Sequence, residues 1–190
     1  VVIATGVVPR ALKIEGSDAP QVLSYAEVLR GAPVGQKVAV IGAGGIGFDV
    51  SEFLLKPEHQ PQPQPLAEWQ REWGVDPNPN YVTEGGMCAP EVHPPIREIY
   101  LLQRKTTALG AGLGKTSGWV HRAQLKKHAV RMLRGVQYKA ITNEGLWIEM
   151  AGQDQLLRVD SIVVCAGQES VKDLMPAADE NTLANYHIIG

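Results

Sequence analysis

At 190 residues, with 44% hydrophobic and 20% charged side chains, the chain has the composition of a folded globular protein, large enough for one sizeable core. A formal net charge of −2 argues against global attraction to nucleic acid or an anionic membrane surface, and no run approaches the ~20 apolar residues of a membrane span. The two cysteines, Cys88 and Cys165, form neither a disulfide framework nor a metal cluster, which fits a reducing cytoplasm.

Taken in chain order, Val1 to Ala4 is a β-branched run ending at Thr5-Gly6, and a loop from Pro9 leads to about Val22. Ser24-Tyr25-Ala26-Glu27 has capping-box spacing and predicts a short helix over 25–30. Lys37-Val38-Ala39-Val40-Ile41 is then an apolar strand, short enough to be buried on both faces. After Gly42-Ala43-Gly44-Gly45-Ile46-Gly47, apolar residues recur at helical spacing as far as Leu55 and stop at Pro57.

Nine of the thirteen prolines lie between Pro57 and Pro95, which marks an insertion over 56–96 with one short helix at Leu66 to Trp73. Trp69 and Trp73 are four residues apart and would share one face of that helix. A strand over Arg97 to Leu102 ends on Gln103-Arg104-Lys105, and a glycine-rich loop from Gly110 to Gly114 leads into a helix over 117–128. Strand character resumes at Val130 to Leu133. Val136 to Arg158 then alternates as an antiparallel meander with turns at 143–145 and 152–154. Ile162 to Cys165 is a last apolar strand ending at Ala166-Gly167, and Val1 to Gly6 echoes it in ending on small residues. A strand at His187 to Gly190 closes the chain, and a sequence that starts and stops inside strands is expected to come from a longer protein.

The expected fold is therefore α/β: a Rossmann-like three-layer dinucleotide-binding domain with a parallel sheet and an antiparallel β-meander. Gly42, Gly44 and Gly47 follow a predicted strand and open a predicted helix, the context that G-x-G-x-x-G requires. The first glycine permits the tight turn, the second lets backbone approach a pyrophosphate, and the third lets helix pack on strand. Amides at the helix start supply donors and a positive dipole for the anion. Asp49, seven residues past Gly42, is placed by the sequence in the first helical turn, where an acid complements the dipole.

Cofactor choice is set at the end of the next strand, where a carboxylate would accept from a ribose 2′-hydroxyl and repel a phosphate. This chain offers Arg104 and Lys105 there, two cations suited to a 2′-phosphate, so the sequence reads NADP(H) over NAD(H). Two solvated surface cations would leave the same trace.

Gly110 to Thr116 imitates a phosphate loop, but Leu109 stands where its first glycine must be, and Lys115 is assigned to phosphate or to a neighbouring domain. His121 and His128, seven apart, read as a polar surface stripe. Cys165 reads as a small buried hydrophobe.

Five strings extend this reading: Val22-Leu23-Ser24-Tyr25, Val40 to Asp49, Leu102 to Lys105, Gly112-Leu113-Gly114-Lys115-Thr116-Ser117-Gly118-Trp119-Val120-His121-Arg122, and Val164 to Glu169. Together they resemble bacterial NADPH-dependent 2,4-dienoyl-CoA reductases, with Gly112 to Trp119 the most specific stretch. The resemblance implies an NADP(H)-binding domain inserted into an FAD domain, in a parent that also carries an FMN-bearing barrel and an iron–sulfur cluster. Residues 1–35 would border the FAD domain, 36–168 would form the NADP(H) domain, and 169–190 would return to the FAD domain, with that domain and the FMN barrel as intrachain partners. Gly42, Ala43, Gly44, Gly45, Ile46 and Gly47 would hold the pyrophosphate, and Arg104 with Lys105 the 2′-phosphate. Ala166, Gly167 and, on the nicotinamide side, Asp49 would complete the site. Electrons would pass from NADPH through FAD, cluster and FMN to a dienoyl thioester. The barrel, cluster cysteines and first FAD glycine turn lie outside these 190 residues, so the piece alone is expected to bind nucleotide without turnover. Two rival readings are an amine-dehydrogenase-like protein with a structural nucleotide and a non-redox dinucleotide-binding module.

Overall fold

A computed structural model describes residues 1–56, 64–78, 84–177 and 185–189. In chain order the elements are β1 (Val2–Ile3), β2 (Val7–Pro9), β3 (Val22–Ser24), α1 (Tyr25–Leu29), β4 (Lys37–Ile41), α2 (Gly45–Leu55), α3 (Leu66–Glu72) and β5 (Glu98–Gln103). There follow α4 (Gly118–Lys127), β6 (Arg131–Arg134), β7 (Gln137–Thr142), β8 (Gly145–Met150), β9 (Gln153–Leu157), β10 (Ser161–Val164), β11 (Gln168–Ser170) and β12 (His187–Ile188).

Five strands form one wholly parallel sheet in the order β3-β10-β4-β5-β6, flanked by the antiparallel meander β7-β8-β9. Side-chain alternation in the strands divides the interior in two. Val38, Val40, Ile99, Leu101 and Val163 face α1, α2 and α4, packing with Val28, Phe48, Leu54 and Leu125. Ala39, Ile41, Leu102 and Ile162 point the opposite way into the meander, against Val136, Ile141, Leu146, Ile148 and Leu157. Helices, sheet and meander are thus the three layers expected, and β4 is buried on both faces because each layer claims alternate residues.

Local chemistry sets several boundaries. The Ser24 hydroxyl accepts from the Glu27 amide while the Glu27 carboxylate accepts from the Ser24 amide, the reciprocal capping box that starts α1. Arg97, buried just before β5, donates to the carbonyls of Gly35 and Leu54, tying the end of α2 to the entry of β4. The second meander turn lies at Ala151-Gly152, both with positive φ, so Gln153 and Asp154 belong to β9 and not to the turn. β3, within residues 1–35, is the edge strand of the main sheet. The echo between residues 1–6 and 162–167 has a structural counterpart. After Gly6 and Gly167, both with positive φ, the chain enters β2 and β11, which pair with each other antiparallel, while β1 pairs in parallel with β12.

Residues 57–63 and 79–83 of the proline-rich stretch lie outside the described residues; α3 falls where the sequence placed a helix, with Trp69 and Trp73 6.3 Å apart on one face. It is fastened to α4 through Glu72, whose carboxylate lies 3.1 Å from the Lys127 ammonium and accepts from the Gln124 amide at 3.0 Å. Lys127 also lies over the Trp73 ring and donates to the Glu72 carbonyl. His128 completes the group, 3.6 Å from the same carboxylate and largely buried. His121 meets Glu52 of α2 at 2.8 Å, so the two histidines join α4 to its neighbours instead of forming a surface stripe. Helix packing took them inward, which spacing alone cannot report.

Burial alone would raise the Glu72 carboxyl, but hydrogen bonds from Gln124, Lys127 and Gln64 and the Lys127 charge outweigh it and hold the group at about 2. A depressed folded-state value stabilises fully above the ordinary carboxyl value of 4.5 and is lost as pH falls toward 2. Glu72→Gln should therefore cost about 3 kcal/mol at pH 7, where Lys127 loses its charged partner. In urea unfolding the gap to the unsubstituted chain should narrow between pH 5 and pH 3.

Candidate functional site

The carboxyl ends of β4, β5 and β10 meet where the chain order reverses: β4 leads outward to β5 and β6, and the chain later returns to place β10 on the opposite side of β4. Parallel α/β sheets open a crevice at such a switch point. The Gly42 amide donates to the Leu102 carbonyl at 2.9 Å and the Cys165 amide to the Ile41 carbonyl at 2.8 Å, locking the three strand ends together.

Two glycines of the turn are required by contact. Gly42 has φ +110°, and a Cβ there would lie 2.5 Å from the Cys165 carbonyl oxygen. A Cβ on Gly47 would overlap the Gly42 carbonyl oxygen, so α2 approaches β4 this closely only without one. Gly44 and Gly45 differ, since a Cβ on either meets no atom within 4 Å. Gly44 is the N-cap of α2 and offers no side-chain acceptor to the first-turn amides, and no acidic residue lies in that turn. The donors and positive end of the helix therefore remain available to an anion.

A cleft of about 510 Å³ opens in front of this turn, with Gly42, Ala43 and Gly44 on one side and Arg104 and Lys105 on another. Ala166 and Tyr138 line it, and the small residues 107, 108 and 110–112 form the facing wall. Gln103 fixes the cationic loop, donating to the carbonyls of Lys105 at 3.1 Å and Thr107 at 2.6 Å, while the Gly135 amide donates to Lys105 from the far side. Both cations are exposed, and among the described residues neither forms an ion pair.

Of the residues the sequence nominated, the fold gathers Gly42, Ala43, Gly44, Arg104, Lys105 and Ala166 around one cleft. Gly45 and Ile46 stand behind its edge in the first turn of α2, and Gly47 is buried against β4. Asp49 lies in the second turn on the exposed face of α2, not in the first turn, because the extended backbone of Gly44 delays the helix to Gly45. Gly167 turns away toward β2, where its carbonyl accepts from the Arg10 amide at 3.1 Å. Lys115 lies outside the cleft, beside Arg122. Cys165, packed directly behind the turn, is buried with its thiol pushed up to about 12, in keeping with a small core hydrophobe. Tyr138 was not nominated, whereas Gly110, Ala111 and Gly112 belong to the glycine-rich loop that the sequence placed near the dinucleotide. Tyr138 showed only as one position of an alternating strand.

The family described as pyridine nucleotide-disulphide oxidoreductase matches residues 1–187. A metal reductase of Desulforamulus reducens is 24% identical over 180 residues, covering 93% of this chain and 25% of that protein. Among solved structures, 2-naphthoyl-CoA reductase in complex with 2-naphthoyl-CoA superposes with a TM-score of 0.65 at 23% identity, over 100% of this chain and 23% of its own. An engineered water-forming NADPH oxidase bound to NADPH gives a TM-score of 0.54 at 17% identity, over 100% of this chain and 38% of its own. The chain thus spans about a quarter of the length of the first two.

The two kinds of glycine predict opposite outcomes. Gly47→Ala should destabilise the fold by about 1–3 kcal/mol or more, since backbone must move to admit the methyl. Gly44→Ala should stay within about 0.5 kcal/mol of the unsubstituted chain in urea unfolding.

Proposed function

Because the chain belongs to the pyridine nucleotide-disulphide oxidoreductase family, we propose that it is the NADP(H)-binding, electron-input part of a flavoprotein reductase. The observation that carries the cofactor choice is the pair Arg104 and Lys105, held at the cleft opposite the glycine turn without an ion-pair partner among the described residues. A carboxylate at this place would repel a 2′-phosphate, whereas a guanidinium can grip one through two parallel hydrogen bonds. The engineered NADPH oxidase follows the same logic, for its substitutions remove one aspartate and introduce two arginines.

The residues present fit the nucleotide. Gly42 allows the turn, Gly44 leaves open space where backbone can meet a pyrophosphate, and the uncapped amides of α2 point at that space. Arg104 and Lys105 would take the 2′-phosphate, and Ala166 would border the strand ends beneath it. The small side chains of residues 107, 108 and 110–112 leave width for a dinucleotide between loop and turn. When bound, the reduced nicotinamide supplies a hydride. The protein's own part is to hold the adenosine end and the phosphates so that the nicotinamide projects toward a flavin carried by another segment. No described side chain of the cleft is placed for acid–base work on that transfer.

For the parent enzyme we propose reduction of an unsaturated acyl thioester of the 2,4-dienoyl-CoA kind, with FAD, an iron–sulfur cluster and FMN relaying the electrons. Support comes from the Gly112 to Trp119 string and from the naphthoyl-CoA reductase likeness, a protein that also takes a CoA thioester. On this reading, the β1–β12 and β2–β11 pairs tie the nucleotide domain to the FAD domain.

Charge-assisted hydrogen bonds to the 2′-phosphate contribute about 1.5–3 kcal/mol, so calorimetry should find NADPH bound about tenfold to hundredfold more tightly than NADH. Arg104→Ala with Lys105→Ala should remove most of the preference and leave NADH affinity almost unchanged. Equal binding of the two nucleotides by the unsubstituted chain would refute the cofactor assignment.

A further inference from the structure

Tyr138 stands in β7 at the point where pairing with β8 shifts register, from Tyr138 opposite Ile148 to Ala140 opposite Trp147. Such irregularities re-aim a side chain. One side of the ring packs on the cluster of Leu102, Val136 and Ile148, and the residue also lines the cleft that holds Arg104. Burial pushes the phenol well above its ordinary value, and the positive charge of Arg104, which acts in the opposite direction, does not undo this. The hydroxyl therefore keeps its proton at any physiological pH and can donate it.

Among the described residues that hydroxyl makes no hydrogen bond. Two other tyrosines show what is usual: Tyr25 accepts from Gln168 at 2.8 Å, and Tyr100 donates to Glu98 at 2.9 Å while accepting from Arg131 at 2.8 Å. The Tyr138 hydroxyl is not among the buried polar atoms left without a partner, so it opens to the cleft that the residue lines. The group whose charge reaches Tyr138, Arg104, carries donors only. A phenol with a proton to give and a guanidinium with no acceptor of its own thus border the same cleft. Both can donate to an acceptor oxygen that enters it, and the cation makes an anionic one best.

We propose that Tyr138 is a specificity-determining residue, donating its phenolic hydrogen to the 2′-phosphate of NADP(H) from the meander side while Arg104 engages the same group from the β5 side. The inference rests on the NADP(H) reading above and adds a second, uncharged contact to it. The meander then serves recognition as well as packing, since β7 supplies the ring that borders the adenosine end.

Two probes that differ only in the 2′-phosphate, adenosine 2′,5′-bisphosphate and 5′-AMP, separate the possibilities when titrated into the full chain by calorimetry. Tyr138→Phe keeps the ring and its packing, and should weaken the bisphosphate by about five- to tenfold while changing 5′-AMP less than about twofold. An equal loss for both probes would place the hydroxyl's contact away from the 2′-phosphate and overturn the proposal, as would no loss for either. A bisphosphate preference abolished by Arg104→Ala but intact in Tyr138→Phe would overturn the tyrosine's role alone. Equal or absent binding of both probes by the unsubstituted chain would overturn the NADP(H) reading and this inference with it.

Discussion

The fold turns on one close approach: α2 can lie on β4 only because Gly47 has no side chain to meet the Gly42 carbonyl, and β10 can end beside β4 only because Gly42 has none to meet Cys165. Those two contacts fix where α2 begins. They also fix its direction, with first-turn amides facing the gap between β4 and β10. Had the third glycine been any larger residue, the helix would stand off the sheet, and both the packing of Phe48 and the anion-ready end would shift together. Stability and recognition are therefore coupled at this turn. Gly44 and Gly45 are the exception, free of contacts and hence available to a ligand instead of to the core.

From that anchor the strands divide their side chains between two layers of different kinds. The helical layer presents Phe48, Leu54 and Leu125 to one face, and the meander presents Leu146, Ile148 and Leu157 to the other. Because the meander follows β6 through the tight Gly135 connection, β7 runs beside the end of β5, whose continuation carries Arg104. The cationic loop and an aromatic ring line one cleft there although 34 residues separate them in sequence, by subtraction of 104 from 138. The small-residue wall at 107, 108 and 110–112 closes the same space, with Gly110 packed against Phe48 so that the loop is referenced to α2 itself.

Much of this was legible beforehand because it depends on short-range chemistry. The capping box at Ser24, the buried run Lys37–Ile41, the glycine turn and the alternation from Val136 onward each specify their structure within a few residues. Features created by packing between distant segments were not legible. Gly167 was drawn away by the β2–β11 pair, while the first-turn placement of Asp49 was off for a local reason, the extended Gly44 that starts α2 at Gly45. His128 was drawn inward by Glu72, a residue of the insertion, and no spacing within α4 announces a partner 56 positions upstream, by subtraction of 72 from 128. Tyr138 was invisible for the same reason, since an alternating tyrosine shows only that one face is buried, not what lies across it.

The cationic loop is held in an unusual way for a pair of exposed charges. Hydrogen bonds to the loop's carbonyls from the Gln103 side-chain amide and the Gly135 backbone amide, and not ion pairs, fix the path of Arg104 and Lys105 among the described residues. An arginine already engaged with a carboxylate would have to give up that bond before meeting a phosphate, and the difference would be subtracted from affinity. A loop fixed through its carbonyls leaves the guanidinium and ammonium uncommitted while limiting the positions they can occupy. Exposed cations in water gain little from distant charges and much from a direct, partly desolvated contact. On the NADP(H) reading proposed above, a phosphate drawn between Arg104 and the partly buried flank of Tyr138 would leave water on that side. Discrimination between nucleotides would then arise where charge and partial burial coincide, and the meander, which the sequence presents as mere packing, would set the dielectric in which the cations act.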